Sequence, residues 1–133
     1  MDKHELERRT RRFALGILCF VSSLPKGWLA DVLGRQLLRS GTSIGANYRE
    51  ANRASSRLDF IYKINLIEKE AAETEYWFEL ASDAAVGNVG ERDALLAETR
   101  ELLAIFTRIG KTSKSNLRKG AKNSKFEIRN SKS

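Results

Sequence analysis

Five polar residues in the segment 33–51 are of types found in enzyme sites and in binding sites. At about 100° of helical rotation per residue, they fall within an arc of about 80° on one face of a helix. They are Gln36, Arg39, Ser43, Asn47 and Glu50. As a catalytic group they could bind and convert a small substrate, but no histidine or second nucleophile lies in range to activate the hydroxyl of Ser43. We favour an interaction across a helix interface that fixes its register; a solvated face is the third alternative.

Three glycines lie beside this polar face on the same helix. Gly34, Gly41 and Gly45 share about 200–240° of the wheel, next to an apolar core stripe. A glycine in a helix interior costs roughly 1 kcal/mol relative to alanine. We therefore predict close helix packing at the three glycines, although they could also be incidental. The core stripe consists of Leu33, Leu37, Ile44, Tyr48 and Ala51.

The next helical segment, 56–85, carries two apolar stripes. The stripe predicted to face the core contains Phe60, Ile64, Ile67, Ala71, Phe78 and Ala85. The second stripe, on the far side, contains Tyr62, Leu66, Trp77, Leu80 and Ala84, with Glu73 inside it as an argument against a fully dry interface. A surface helix of a monomer needs only one apolar stripe, and aromatic residues are enriched at interfaces. The second stripe therefore predicts an oligomer interface; scattered exposed apolar residues are the alternative.

The net charge of +7 lies entirely in the last 23 of the 133 residues, because residues 1–110 hold 16 basic and 16 acidic residues. Clustered cations attract phosphate through counterion release, and Phe126 is the only residue of this tail that could stack on a base. The tail is thus a candidate for weakly specific nucleic-acid binding, or an inert solubilising end. The candidate binding residues are Lys111, Lys114, Arg118, Lys119, Lys122 and Lys125.

The composition argues against several other classes. One cysteine and one histidine give neither an internal disulfide nor a His/Cys metal site, so we predict no metal and no cofactor. The longest apolar run, 13–21, is too short for a membrane span, which needs about 20 residues. A signal peptide is an alternative for this region, but one helical stripe continues through it, which favours an amphipathic helix. We expect a cytoplasmic protein that does not associate with membranes.

The sequence divides into four helical segments, at about 4–23, 28–53, 56–85 and 91–111. Pro25 and Gly27 end the first, Ser56 and Asp59 have the spacing of a capping box, and glycines at 87 and 90 separate the last two. Loops of about two to five residues place neighbouring helices antiparallel. The expected fold is an all-α, up-down-up-down four-helix bundle over residues 1–112, followed by a basic, disordered tail over 113–133.

The run 34–51 closely resembles the signature of the bacterial four helix bundle protein family, also called 23S rRNA intervening-sequence proteins. The similarity continues upstream at 12–15 and 23–26, and downstream at 59–63 and 69–77. It covers about residues 8–112, which leaves the basic tail outside the family pattern. The five polar residues of the first paragraph are its motif positions, and the resemblance implies a structural or interface role for them.

The resemblance also implies a left-handed antiparallel bundle that assembles into a homopentameric ring. The family takes its name from reading frames inside insertions in bacterial 23S rRNA genes. A related group, the accessory proteins of diversity-generating retroelements, forms similar pentamers that bind a reverse transcriptase and nucleic acid.

Three functions follow as hypotheses from the residues and the resemblance. We expect a non-enzymatic homo-oligomeric scaffold, pentameric by resemblance, that associates with RNA, DNA or a nucleic-acid enzyme. The alternative is a purely structural or protein-interaction module without nucleic-acid binding. An enzyme that uses Arg39, Ser43 and Glu50 is the third hypothesis.

Overall fold

Four helices, and no strand, make up the part of the chain that the computed structural model describes, which is residues 1–131 with the side chains of residues 1–122. The helices are α1 (Lys3–Ser22), α2 (Trp28–Ala51), α3 (Arg57–Asp83) and α4 (Val89–Ser131). Three connections of five residues each join them, which makes chain neighbours antiparallel. Each helix packs on its chain neighbours, and α4 also contacts α1, so the bundle is closed. The predicted all-α four-helix bundle is confirmed.

The helix starts follow the capping signals of the sequence. The carboxylate of Asp2 accepts the N–H of Glu5 at 2.8 Å, and the hydroxyl of Ser56 accepts the N–H of Asp59 at 3.1 Å. In both cases a side chain satisfies an N–H group that has no partner within its own helix. Asn88 caps α4 in the same way, through the N–H of Glu91 at 2.9 Å.

The turn between α3 and α4 needs two backbone conformations with positive φ. Ala85 has φ of 55° and Gly87 has φ of 89°. A Cβ on Gly87 would collide with the ring of Phe20, so this glycine also permits a close approach to the core. Ala85, expected in the core stripe of α3, is instead exposed because the helix has already ended at Asp83.

All four helices contribute to the core. The expected core stripe of α2 is fully buried, and in α3 the same holds for Ile64, Ile67, Ala71 and Phe78, whereas Phe60 is half-buried. Two aromatic contacts mark the ends of the core. Phe20 and Phe78 lie 5.8 Å apart at one end, and Tyr48 and Phe106 lie 5.2 Å apart towards the other. We call this second end, where α4 leaves the bundle, the exit end.

Helix α4 differs from the sequence prediction. We expected it to end near Lys111 and the residues from 113 to be disordered, but the described backbone stays helical to Ser131. No proline interrupts the segment 111–131, and its helix continues from a packed one, so no new nucleus has to form. Among the residues whose side chains are described, Gly110 is the last buried one, and residues 118–122 are exposed. The helix therefore projects from the exit end as an extension.

No helix in the part of the chain that the structure describes is long and apolar enough to cross a membrane.

Candidate functional site

The polar face of α2 lies against α3, and Arg39 is its centre. Its Nη1 donates to Glu70 Oε2 at 3.3 Å, and its Nη2 contacts Glu73 Oε1. The same guanidinium lies 3.4 Å from the side-chain oxygen of Gln36, one helical turn earlier. One arginine therefore joins a carboxamide of its own helix to two carboxylates of the next.

Glu73 extends this network to an aromatic side chain. Its Oε1 also accepts the indole N–H of Trp77 at 3.3 Å. The hydrogen bond from Arg39 is the main cause that lowers the pKa of Glu73 below 4.5, and the same bond raises the pKa of Arg39. The carboxylate is thus held in its charged form. The network fixes the relative position of α2 and α3 and the orientation of the indole.

The other motif residues divide into two groups. Glu50 forms a second bridge between α2 and α3, through Lys63 Nζ at 2.8 Å, and this contact raises the pKa of Lys63. Ser43 donates instead to the main-chain carbonyl of Ser40 at 2.7 Å, within its own helix. Asn47 is half-buried and has no side-chain hydrogen bond to any residue whose side chain is described. Contacts across the interface are therefore made by Arg39 and Glu50, with Gln36 attached through Arg39.

A buried hydrogen bond between α2 and α3 was missed by the sequence analysis. The hydroxyl of Thr74 donates to that of Ser40 across 2.8 Å, and Ser40 donates onward to the carbonyl of Gln36 across 2.9 Å. Both side chains are fully buried. The sequence feature that could have revealed this bond is a polar residue, Thr74, within the apolar stripe of α3. A satisfied buried pair of this kind contributes to register, as we expected of the five motif residues.

The described contacts of this face are ion pairs and hydrogen bonds within and between helices. Its carboxylates are occupied by cations, and the hydroxyl of Ser43 is directed to the backbone of its own helix. Nucleophilic catalysis needs a base within hydrogen-bond reach of the nucleophile. Among the described residues there is no group of three or more His, Cys, Asp or Glu that could hold a metal ion.

The three glycines of α2 lie against α1. A Cβ on Gly41 would stand 2.8 Å from Ile17 Cδ1, and one on Gly34 would stand 3.0 Å from Val21 Cγ1. At Gly45 the nearest atoms include the main-chain carbon of Thr10, at 3.4 Å. The two backbones therefore approach most closely at Thr10 and Gly45, near the exit end.

The second apolar stripe of α3 is only partly free. Trp77 and Leu80 are half-buried and pack against the core of their own chain, so this part of the stripe does not need a partner subunit to cover it. Leu66 is half-buried, and Tyr62 keeps 59% of its surface exposed. Leu58 and Tyr76 are exposed on the same outer side of α3, and the sequence analysis missed both. We call Leu58, Tyr62 and Tyr76 the outer apolar face.

The basic residues of the α4 extension form a row. Spacings of three and four residues place Lys111, Lys114, Arg118 and Lys122 on one side of the helix, with Lys119 about 80° away from Lys111. All five are exposed, and none is within ion-pair distance of a carboxylate whose side chain is described. Lys125 continues the spacing, but its side chain lies outside the described ones. We call Lys111, Lys114, Arg118 and Lys122 the basic row.

The charges of the bundle are also separated along its axis. Residues 1–12, 41–70 and 101–122 form the half at the exit end and hold 16 basic and 8 acidic residues. Residues 13–40 and 71–100 form the opposite half and hold 5 basic and 8 acidic residues. Within residues 1–110 alone, the half at the exit end holds 11 basic and 8 acidic residues, so the zero net charge of this range conceals a moderately positive end, from which the basic row extends.

Comparison with known proteins agrees with this architecture. The family model described as 23S rRNA-intervening sequence protein matches residues 2–108. The chain is similar to the crystal structure of a protein with unknown function from the S23 ribosomal protein family of Bacteroides thetaiotaomicron. The two are 35% identical with a TM-score of 0.73, over 84% of this chain and 99% of that one. No curated protein matches significantly. The chain belongs to the 23S rRNA-intervening sequence protein family.

Proposed function

We propose that this protein is a non-enzymatic, homo-oligomeric helical scaffold that associates with nucleic acid. The observation that carries the proposal is the basic row on the α4 extension. At 1.5 Å per residue, its cations cover about 16 Å of helix from Lys111 to Lys122. They are exposed and face no described carboxylate, so their charge is available to an anionic polymer.

Binding of this kind depends on the phosphate backbone and not on the base sequence. Lysine and arginine displace condensed counterions from nucleic acid, and phosphate contacts set position without reading sequence. The row contains no aromatic residue that could stack on a base. We therefore propose a sequence-tolerant association with RNA or DNA.

Self-association is the second part of the proposal. It is supported by the outer apolar face of α3, on which Leu58, Tyr62 and Tyr76 are 67%, 59% and 55% exposed. Aromatic residues of this kind are enriched at interfaces between subunits. The number of copies, five, is proposed on the family resemblance alone. We propose a cytoplasmic location, which a chain with a single cysteine and no internal disulfide supports.

Fluorescence anisotropy with labelled RNA and DNA duplexes tests the nucleic-acid part. The full chain should bind both, with an affinity that falls steeply as salt rises from about 50 to about 200 mM. Replacement of the four residues of the basic row by glutamine should weaken binding at least tenfold. The slope of log affinity against log salt should then correspond to about four fewer phosphate contacts. Failure of the full chain to bind either duplex at low salt would contradict the proposal.

A protein-interaction module is the second candidate function, and one observation favours it. Trp28, at the start of α2, is 78% exposed, and Val32, one turn later, is 40% exposed. A large exposed aromatic side chain is a common anchor of protein interfaces. Capture of a protein partner that is unaffected by nuclease, and lost in Trp28→Ala, would favour this candidate.

A further inference from the structure

A groove runs between α1 and α2 near the exit end. It encloses about 390 Å³ and is lined by Glu7, Arg11, Ala14, Thr42, Gly45, Ala46 and Arg49. Its floor consists of small residues, because Gly45 lies directly against Thr10 of α1. Charged side chains form its rims. A narrow polar group could therefore approach the helix backbones between the two rims.

The groove continues towards the end of α2. An adjoining cavity of about 210 Å³ shares Glu7 and Arg49 and adds Glu50 and Arg53. Arginines 11, 49 and 53 are all exposed. The carboxylate of Glu50 is already paired with Lys63 at 2.8 Å. Three guanidiniums therefore line the combined groove against one carboxylate, Glu7, that has no such lysine or arginine partner among the described residues.

The groove arginines differ in ion pairing from the arginines that lie between other pairs of helices, and they share this lack of a described partner with exposed arginines such as Arg35 and Arg108. Arg9, Arg39 and Arg100 each lie within ion-pair distance of two glutamates. By contrast, none of the three groove arginines has a carboxylate within that distance in the part of the chain whose side chains are described. The protein thus neutralises the arginines between its other helices and leaves those of the α1–α2 groove available.

We infer that this groove binds the phosphate backbone of the nucleic acid that the basic row also contacts. Guanidinium groups present a planar fork of donors that matches phosphate oxygens. The groove and the basic row lie at the same, positive end of the bundle, so one polymer can reach both. The inference rests on the proposed function and extends its contact surface from α4 to the body.

The shape of the groove favours a nucleic acid over a membrane as the anionic partner. Its floor is recessed between two helices, and a single phosphodiester strand can follow such a recess. A flat lipid surface would meet the rims but not the floor. Contact with Gly45 and Ala46 would therefore need a strand-like ligand, such as one phosphodiester backbone of a duplex.

The test compares three variants of the full chain in anisotropy titrations with RNA and DNA duplexes of about 20 base pairs. The groove variant is Arg11→Gln, Arg49→Gln, Arg53→Gln. Its control, Lys26→Gln, Arg35→Gln, Lys69→Gln, removes the same charge from exposed residues outside the groove. The third variant carries glutamine throughout the basic row. None of the groove arginines makes a described ion pair, so the fold should persist, and circular dichroism verifies this.

The groove variant should bind about tenfold to a hundredfold more weakly, and the slope of log affinity against log salt should fall by about 2 to 3. The control should change affinity by no more than about threefold. Equal losses in the two variants would overturn the inference, because net charge alone would then explain binding. Unchanged binding by the groove variant, together with loss of binding in the basic-row variant, would overturn phosphate binding by the groove but leave the proposed function standing.

Binding of wild-type protein to neither duplex would contradict both proposals. Titration of the same variants with anionic phosphatidylserine vesicles distinguishes the two possible sources of phosphate, a lipid headgroup and a nucleic acid. Loss of vesicle binding in the groove variant, with duplex binding unchanged, would assign the groove to lipid and overturn the inference. A larger apolar side chain in the groove supplies an independent check: Ala46→Leu should block the floor and weaken duplex binding without removing any charge.

Discussion

Arg39 shows how one side chain of the family signature connects two helices. It contacts Glu70 and Glu73 of α3 as well as Gln36 of its own helix, and Glu73 in turn holds the indole of Trp77. The sequence placed Arg39 on the correct face, because a helical wheel depends only on spacing. It could not identify the partners, since they depend on how α3 is rotated against α2. Ser43 and Asn47 share the face without contributing a bond across it.

Replacement of Arg39 by alanine should destabilise the bundle modestly. Half-exposed ion pairs contribute at most about 1 kcal/mol, and the loss should lie near that value because two carboxylates are affected. Chemical denaturation measures the change in unfolding free energy. Arg35→Ala is the matched control, since Arg35 is exposed one turn earlier on α2 and has no described ion pair. Equal losses of unfolding free energy in Arg39→Ala and Arg35→Ala would contradict a stabilising role of the network.

The same network predicts a dependence on pH. Because Arg39 lowers the pKa of Glu73 in the folded state, the unfolded chain binds this proton more readily. The stabilisation is therefore present above pH 4.5, the ordinary pKa of glutamate, and is lost as pH falls through the lower folded value. The difference in stability between wild type and Arg39→Ala should shrink below pH 4.5. A difference that stays constant down to pH 3 would exclude Glu73 as its source.

Two glycine-to-alanine changes should have different effects. Gly41→Ala places a methyl group 2.8 Å from the fully buried Ile17, and overpacking of this kind costs about 1–3 kcal/mol. Gly120→Ala meets nothing within 4 Å, so only the better helix propensity of alanine remains, about 1 kcal/mol. Thermal denaturation should show a lower midpoint for Gly41→Ala. Far-ultraviolet circular dichroism should show more helix for Gly120→Ala, with an unchanged midpoint.

Helix boundaries were predictable where the sequence contains a local signal. Pro25, Gly27 and the Ser56–Asp59 cap set the ends of three helices within a few residues of the expected positions. The end of α4 was wrong because no such signal exists there. Lysine, serine and asparagine are compatible with both helix and disorder, and the packed part of α4 decides between them by supplying the first turns.

The second stripe of α3 remains a prediction as an oligomer interface, but Trp77 is less exposed than its position on the helical wheel indicated. A wheel shows that Trp77 lies off the centre of the core stripe, but not that α2 stands beside it. Arg39 and Glu73 occupy that side, and the indole packs below them against its own chain. The prediction of a free aromatic surface therefore holds better for Tyr62 and the overlooked Tyr76 than for Trp77.

Removal of the α4 extension should leave the bundle intact. The fragment 1–112 keeps every fully buried core side chain, up to Phe106. Its thermal midpoint should stay within about 4 °C of that of the full chain, a shift that corresponds to less than about 1 kcal/mol. Nucleic-acid affinity should fall at least tenfold in the same fragment. A fragment that fails to fold cooperatively would show that the extension stabilises the core.

The distribution of charge is a property of the whole molecule that counting along the chain cannot reveal. Residues 1–110 are neutral in sum, yet folding gathers basic residues of three separate segments at the exit end. The segments are far apart in sequence, and only the antiparallel order of the helices brings them together. The family, by contrast, could be identified from the sequence, because its signature in 34–51 is a local pattern.

Assembly is testable at the same scale. Tyr62→Glu should lower the molecular mass measured by light scattering, because a charge within the outer apolar face opposes burial against a second copy. Trp28→Glu, at an even more exposed aromatic position on α2, should leave the mass unchanged. A lower mass for Trp28→Glu alone would instead assign the interface between copies to α2. An unchanged mass in both variants, or a monomeric wild type, would reject self-association through either surface.

The helical form of the α4 extension has a consequence for conformational entropy. A disordered tail of the same composition would lose roughly 1–2 kcal/mol per residue of backbone entropy when a ligand ordered it. In the helix this loss occurs on folding, so the basic row would present cations already spaced along a rod to the nucleic acid that we propose as its ligand. Neighbouring cations three and four residues apart repel one another, and bound phosphate relieves that repulsion. Ligand binding and helix stability in this segment are therefore coupled, and each should strengthen the other.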